Sequence, residues 1–319
     1  MMNKGFWGII FPFLFQLSTS ISRRYTAKID LDDKILQENL LAEYEAYSLI
    51  MCSAMCGLGC TYFGFNSQRQ KCRVHTGCHS TNSAGPEGGW RYFIPDTEVL
   101  KNIRPMDCKS LLADGFTASC LYTIYPWYNR SVDVYCDMDI KDGGWTVIQR
   151  RIDGSTDFNR TWNEYKEGFG SVHSSYWIGN DVIHQLTKNK SSLYVSITFT
   201  NGTTLYQQYG EFSVNNEEDK YRLYLAGPTE GTLGDSMLDS GSTGGDLSGM
   251  YFSTKDRDND RWSGYHCAIG FGGGGWWFHA CCHAFLNGAW SSTSWNNPWY
   301  PLVSLGTGVK KTLMMIKPH

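Results

Sequence analysis

The chain has 319 residues, 41% of them hydrophobic, and a formal net charge of −3 with no long block of either sign. That length and apolar content suit one large folded domain plus a small one, and they exclude a mainly disordered chain. The charge balance leaves no basic footprint for nucleic acid and no polybasic anchor for a membrane surface.

The N-terminus reads differently from the rest. Lys4 leads an apolar run from Phe6 to Leu17, followed by the small residues Ser18, Thr19, Ser20 and Ser22. This is the pattern of a secretory signal peptide over residues 1–22, since a membrane anchor would need about 20 apolar residues. No later stretch is long and apolar enough to be read as a membrane span. Secretion, with an extracellular destination, accounts for eleven cysteines, which pair readily outside the cell. It also makes the four N-x-S/T triplets at Asn129, Asn159, Asn189 and Asn201 candidates for glycosylation.

In the next segment, residues 23–94, apolar positions over 35–56 recur near i, i+3 and i+4, which predicts a helix carrying Cys52 and Cys56 on one face. Two strand-like runs follow, 60–65 and 71–74, joined by the turn-prone Asn66-Ser67, and Gly88 to Phe93 reads as a last strand. Zinc is a poor match, because the C-x3-C group has no paired C-x2-C knuckle. The spacing C-x3-C-x3-C-x11-C, with aromatics after the third cysteine, resembles a PAN/apple module. That resemblance implies bridges Cys52–Cys72 and Cys56–Cys60, staples suited to a domain with a small core. Residues 95–104, flanked by Pro95 and Pro105, read as a linker, with no heptad run or Gly-X-Y repeat before the large domain.

From 105 to 319, strand-like runs at 132–135, 146–150, 193–199 and 220–225 alternate with Gly- and Asn-rich turns. Short helices are predicted over 162–169 and 180–187. Residues 227–250, poor in apolar side chains, are predicted to wrap the surface. The fold class is α+β, with a twisted antiparallel sheet and few helices.

The unusual chemistry lies between Tyr251 and Gly288. In Asp256-Arg-Asp258-Asn-Asp260 alternate acids can turn toward one point, an arrangement suited to Ca²⁺, which takes about six to eight oxygen ligands. An EF-hand is excluded, since Arg261 and Trp262 stand where its glycine is needed. Taken alone, the run reads equally as a solvated acidic turn. Its neighbours are Cys267-Ala268, a Gly-rich run, Trp276-Trp277, Cys281 and Leu286-Asn287-Gly288. Upstream stand Asp107-Cys108, Val134-Tyr-Cys136-Asp-Met138, Gly143-Gly-Trp-Thr-Val147, Gln149-Arg-Arg151, Trp177-Ile-Gly-Asn180 and Gly234-Asp235-Ser236. In this order the motifs resemble the fibrinogen C-terminal domain family, which includes fibrinogen chains, ficolins, tachylectins, tenascins and angiopoietins.

The resemblance implies calcium as cofactor, with carboxylates from Asp258 and Asp260 and backbone carbonyls from Trp262 and Gly264. Asp256 is then spare, and a salt bridge to Arg257 or Arg261 is expected for it. The resemblance further implies disulfides Cys108–Cys136 and Cys267–Cys281, and a cis Ala280–Cys281 peptide bond, found in members that bind acetylated ligands. The amides of Cys281 and Cys282 would then face one ligand oxygen, within aromatic walls from Phe271, Trp290, Trp299 and Tyr300. Cys282 stands where the family has histidine, the histidine being displaced to His283. With this pairing Cys78, Cys120 and Cys282 are left over, so at least one is a free thiol or a link in a disulfide-bonded homo-oligomer.

No G-x-S-x-G, H-E-x-x-H or P-loop pattern is present, and an enzyme is not expected. The function implied by the resemblance is that of a secreted, calcium-dependent, lectin-like protein that recognises acetylated sugars or other glycans on microbial surfaces in innate immunity. The alternative is an extracellular ligand or matrix factor of the angiopoietin and tenascin type, with a protein receptor as partner.

Overall fold

The computed structural model describes residues 25–27, 40–56, 62–75, 88–95, 103–238, 244–290, 299–300 and 308–319. The expected signal peptide, Cys60, Cys78 and most of the expected linker lie outside these residues. Among the described residues no helix is long and apolar enough to cross a membrane.

The N-terminal part is a five-stranded antiparallel sheet of β1 (Tyr25–Ala27), β2 (Leu40–Glu45), β3 (Tyr62–Asn66), β4 (Lys71–His75) and β5 (Trp90–Pro95), in the order β1-β5-β3-β4-β2. The helix expected over 35–56 is corrected here, since residues 40–45 are a strand and, among the described residues of that range, only α1 (Leu49–Met55) is helical. Cross-strand charge decides between the two. In the observed register Glu43 faces Arg73 and Glu45 faces Lys71, with ion pairs of 2.7 and 2.6 Å. The helix starts where Ser48 can cap it, its hydroxyl accepting from the Met51 N–H at 3.1 Å. Cys52 on α1 is disulfide-bonded to Cys72 on β4, at the centre of a small core with Phe63, Val74 and Phe93. Cys56 is also disulfide-bonded.

The large domain begins with α2 (Cys108–Ala113). Sequence patterning missed this helix, whose start is a reciprocal cap: the Asp107 carboxylate accepts from the Ser110 N–H and the Ser110 hydroxyl accepts from the Asp107 N–H. The strands that follow are β6 (Cys120–Trp127), β7 (Arg130–Asp137), β8 (Trp145–Arg151), β9 (Phe169–Gly170), β10 (Tyr176–Trp177), β11 (Ser191–Phe199), β12 (Thr204–Val214) and β13 (Leu223–Gly231). Later come β14 (Phe252–Ser253), β15 (Trp276–Trp277) and β16 (Val309–Pro318). The main sheet runs β13-β12-β11-β16-β8-β10-β9, with β7 also on β8 and β6 on β7. At its centre Val147, Ile148, Leu193, Val195, Ile197, Met314, Met315 and Ile316 are fully buried. Burying an aliphatic side chain of this size is worth about 1.5–3 kcal/mol, so these three strands anchor the domain.

The two expected short helices are α3 (Trp162–Glu167) and α4 (Asn180–Leu186). The strand expected over 220–225 begins only at Leu223, because Lys220 and Tyr221 both take a left-handed φ of 49° and turn the chain first. The expectation for 227–250 is also corrected. Leu233, Met237, Leu247 and Met250 are buried in the main core, so four well-spaced apolar residues pin this loop inward. Cys120, unassigned in the expected pairing, is disulfide-bonded.

Candidate calcium loop and adjoining pocket

The short ribbon of β14 and β15 brings the acidic loop beside the Trp276-Trp277 pair. Asn259 anchors it from within: its side-chain amide donates to the Phe252 carbonyl at 2.8 Å and its backbone N–H donates to the Ser253 hydroxyl at 2.9 Å. The acids on either side then fall on one side of the turn. The Asp258 carboxylate accepts from the Asp260 N–H at 3.2 Å, and Asp260 accepts from the N–H groups of Trp262 and Cys267, each at 2.8 Å. The second of these ties the acidic loop to the helical turn α5 (Cys267–Gly270).

Asp258, Asp260 and His266 each place one ligand atom within 4.8 Å of the others. Burial raises the pKa of the Asp260 carboxyl and the nearby Asp258 charge adds to it, while the two amide donors oppose the shift. Two carboxylates this close, in a half-buried place, suit a hard divalent cation that would neutralise both. His266 was not expected here, and its position one residue before Cys267 carried no ligand signal. The Trp262 carbonyl accepts from the Tyr265 N–H at 3.1 Å, closing a turn, and Gly264 follows with a φ of 85°.

Asp256 neither joins this group nor pairs with an arginine, which corrects the expected salt bridge. Its carboxylate accepts from the Trp162 N–H at 2.9 Å and the Thr254 hydroxyl at 2.7 Å. Arg257 lies over the Trp162 ring at 4.7 Å, with Glu217 3.8 Å away. A backbone donor at a helix start holds Asp256 in a geometry that a flexible surface arginine does not match.

Beyond the loop, Cys108–Cys136 and Cys267–Cys281 are disulfides and the Ala280–Cys281 peptide bond is cis. Among the described residues the Cys281 and Cys282 N–H groups have no acceptor. Gly244 passes directly over them with a φ of 113°, and its carbonyl accepts from the His283 N–H at 3.1 Å. A Cβ at Gly244 would lie in contact with the Cys282 nitrogen at 3.4 Å, and the positive φ strains any larger residue at this position. Cys282 is a free, half-buried cysteine, and desolvation around its sulfur pushes the thiol pKa well above the ordinary range.

Of the expected aromatic walls, Trp299 and Tyr300 lie against the segment that follows Cys282. Trp299 is fully buried, its indole N–H donating to the Gly234 carbonyl at 2.9 Å, while Tyr300 is exposed with its ring 5.0 Å from that of His283. Trp290 packs elsewhere, 5.2 Å from the Arg151 guanidinium, and Phe271 stands edge-on to Phe285. None of Phe271, Cys281, Cys282, Trp290, Trp299 or Tyr300 lines the cavities of about 770, 450 and 190 Å³ elsewhere in the domain. From the end of the acidic loop through α5 the chain instead presents the exposed apolar residues Trp262, Tyr265 and Ile269, with the first two rings 4.7 Å apart. The four N-x-S/T asparagines, Asn129, Asn159, Asn189 and Asn201, are all exposed.

The family described as fibrinogen beta and gamma chains, C-terminal globular domain, matches residues 104–319. Fibroleukin of Bos taurus is 45% identical over 197 residues, covering 61% of this chain and 44% of the relative. Angiopoietin-2 of Mus musculus is 40% identical over 222 residues, covering 66% of this chain and 42% of the relative. The chain thus spans less than half the length of these curated relatives. Among solved structures, the fibrinogen-like globe domain of human ANGPTL6 superposes with a TM-score of 0.61 at 36% identity, covering 67% of this chain and 96% of that one.

Proposed function

From a chain that belongs to the fibrinogen C-terminal globular domain family, we propose an extracellular ligand or matrix protein that engages a protein receptor through the surface beside its acidic loop. The observation that carries this reading is the exposed apolar group Trp262, Tyr265 and Ile269, with exposures of 47%, 40% and 59%. Large side chains left open beside a structured loop are the usual anchors of protein interfaces. The similarity to fibroleukin and angiopoietin-2 favours the same reading over a lectin.

Calcium, held by the carboxylates of Asp258 and Asp260 with the carbonyls of Trp262 and Gly264 and with His266 beside them, would brace this surface by neutralising the paired acids. The ion supplies charge and rigidity, not reactivity. The N-terminal sheet, stapled by Cys52–Cys72, is read as a PAN/apple-like module. Acetylated-glycan recognition stands as the second reading, supported by the two amides of Cys281 and Cys282 that lack acceptors among the described residues.

Binding of the purified chain to intact cells separates the two. Receptor engagement predicts saturable, calcium-dependent binding that trypsin treatment of the cells removes and that Trp262→Ala or Ile269→Asp weakens. Retention on an N-acetylglucosamine matrix, released by free acetate and unaffected by Ile269→Asp, would replace this reading with the lectin one.

A further inference from the structure

Two cavities of the domain lie side by side along a groove at the C-terminal end of α4, with His184 and Lys188 lining both. Its nearer part, of about 450 Å³, opens between the β6–β7 turn and α4 and is lined by Trp127, Asn129, Arg130, Asp181 and Gln185 besides the shared pair. The farther part, of about 770 Å³, continues along β12 and β13. Together they reach the size range of small-ligand sites.

The turn at its mouth is two residues long, Tyr128-Asn129, between the paired Trp127 and Arg130. Asn129 opens the triplet Asn129-Arg130-Ser131, is exposed, and makes no side-chain hydrogen bond among the described residues. It differs from the other triplets in where its amide sits. The Asn159 amide lies against Gly273, whose Cβ would fall 2.3 Å from the Asn159 Cγ. Asn201 is on an open turn, its side-chain oxygen accepting from the Thr203 N–H at 2.9 Å. Asn189 follows the groove residue Lys188 directly but lines neither part.

The lining suits a sugar. Trp127 and the Arg130 guanidinium, 5.0 Å over its ring, together form an aromatic and planar cationic wall against which the apolar face of a pyranose can lie. Gln185 and Lys188 offer donors and acceptors for hydroxyl and acetamido groups, and Gln185 is oriented by donating to the Pro126 carbonyl at 2.7 Å. Asp181 is already engaged by the Tyr221 hydroxyl at 2.6 Å.

We propose that an N-linked glycan on Asn129 folds back into this groove, its first N-acetylglucosamine residues lying along Trp127, Gln185 and Lys188 and holding the β6–β7 turn against α4. The linkage forms between Asn129 Nδ2, which loses one proton, and C1 of an oligosaccharide, while the C1–O bond to its polyprenyl diphosphate donor breaks and the diphosphate leaves with the electron pair. The inference rests on passage through a glycosylating secretory compartment and is independent of the receptor reading, because the groove lies on different elements from the acidic loop.

The test uses the full chain secreted from eukaryotic cells, with glycopeptide mass spectrometry at Asn129 and amide hydrogen exchange over residues 120–137 and 180–190. The wild type is compared with Ser131→Ala, which keeps Asn129 but removes the triplet. The expected result is a glycan on Asn129 and exchange of the turn and of the end of α4 several-fold slower in the wild type. Lys188→Ala, an exposed change outside the turn itself, is expected to keep the glycan and lose part of that protection, and Trp127→Ala to lose most of it. An unmodified Asn129, or a glycan that leaves exchange unchanged, would overturn the proposal.

Discussion

The Asp256 carboxylate and the Trp162 backbone N–H lie 2.9 Å apart across 94 positions of sequence. This bond fastens the acidic loop to the first turn of α3, whose own cap is the Thr161–Glu164 pair. Asp256 is thus turned to α3, away from Asp258 and Asp260, whose carboxylates approach each other and His266. Loop position and ion binding become separable by mutation.

Asp256→Ala is expected to lower stability by about 1–2 kcal/mol, the scale of a lost charged cap, with calcium affinity little changed. Asp258→Asn is expected to do the reverse, weakening calcium by about 10–100-fold, the scale seen even for outer-shell partners, with a small effect on the calcium-free protein, while Asp260→Asn, which also gives up one acceptor of the Trp262 and Cys267 N–H groups, is expected to weaken calcium and lower stability together. Calorimetric titration with calcium, beside urea unfolding in a chelator, separates the two classes. A large loss of affinity in Asp256→Ala would return that residue to the ligand set.

The Arg151 guanidinium is 1% exposed, and it donates to the Leu286 and Gly288 carbonyls at 3.1 and 2.5 Å. It also lies 4.3 Å from the centre of the Phe158 ring. Burial depresses its pKa to about 9, so it remains protonated at neutral pH. Arg151→Met fills a similar volume but leaves the Gly288 carbonyl without this donor, while the Leu286 carbonyl keeps the Gln149 amide at 3.2 Å. A loss of about 1–3 kcal/mol in denaturant unfolding is expected, with the tryptophan emission altered because the Trp290 ring packs on the guanidinium.

The family, the α+β class and the antiparallel strands were legible because strongly ordered Gly, Trp and Cys motifs survive along residues 107–288 and because β8, β11 and β16 alternate or run apolar as buried strands must. The positions of β2 and β13 were not. The apolar spacing of residues 40–45 fits a helix as well as a strand until Arg73 and Lys71 are placed opposite Glu43 and Glu45, and the turn at Lys220 and Tyr221 depends on left-handed backbone that neither residue type signals. At the site, Asp258 and Asp260 could be picked out by alternation, whereas the anchoring by Asn259 and the nearness of His266 are tertiary facts. The surroundings of the expected wall residues were not legible for the same reason: composition marks Trp290 and Trp299 as large and apolar, but only packing shows that one covers Arg151 and the other donates to Gly234.

Glu164 gives a pH dependence with a definite sign. Its carboxylate accepts from the Thr161 N–H and hydroxyl, each at 2.8 Å, with Arg160 also at 2.8 Å, and the backbone donor leads in lowering its pKa to about 2. A carboxyl whose folded pKa lies below its unfolded value contributes stability above the unfolded value, near pH 4.5, and loses it as pH falls toward 2. The melting temperature of Glu164→Gln is therefore expected to fall less steeply than that of the wild type between those limits. Parallel curves for the two proteins would show that the charge of Glu164 contributes nothing to the cap.

Cys282 is the free cysteine among the described residues. An interchain link would need an accessible sulfur and an available thiolate, and Cys282 has neither in good measure, because desolvation pushes its thiol pKa up. Native protein at pH 8 is accordingly expected to leave Cys282 unmodified by iodoacetamide, with full modification after unfolding, as read by peptide mapping. Cys282→Ala should then leave any disulfide-linked species on a non-reducing gel unchanged and lower stability only modestly. Cys282→His, which introduces the residue type expected here from the resemblance, must fit a larger ring where the cysteine is already partly buried. A measurable loss of stability is expected for it, of about 1–3 kcal/mol as for other overpacked sites. Rapid native labelling of Cys282, or loss of a dimer band in Cys282→Ala, would instead place this thiol at a subunit contact.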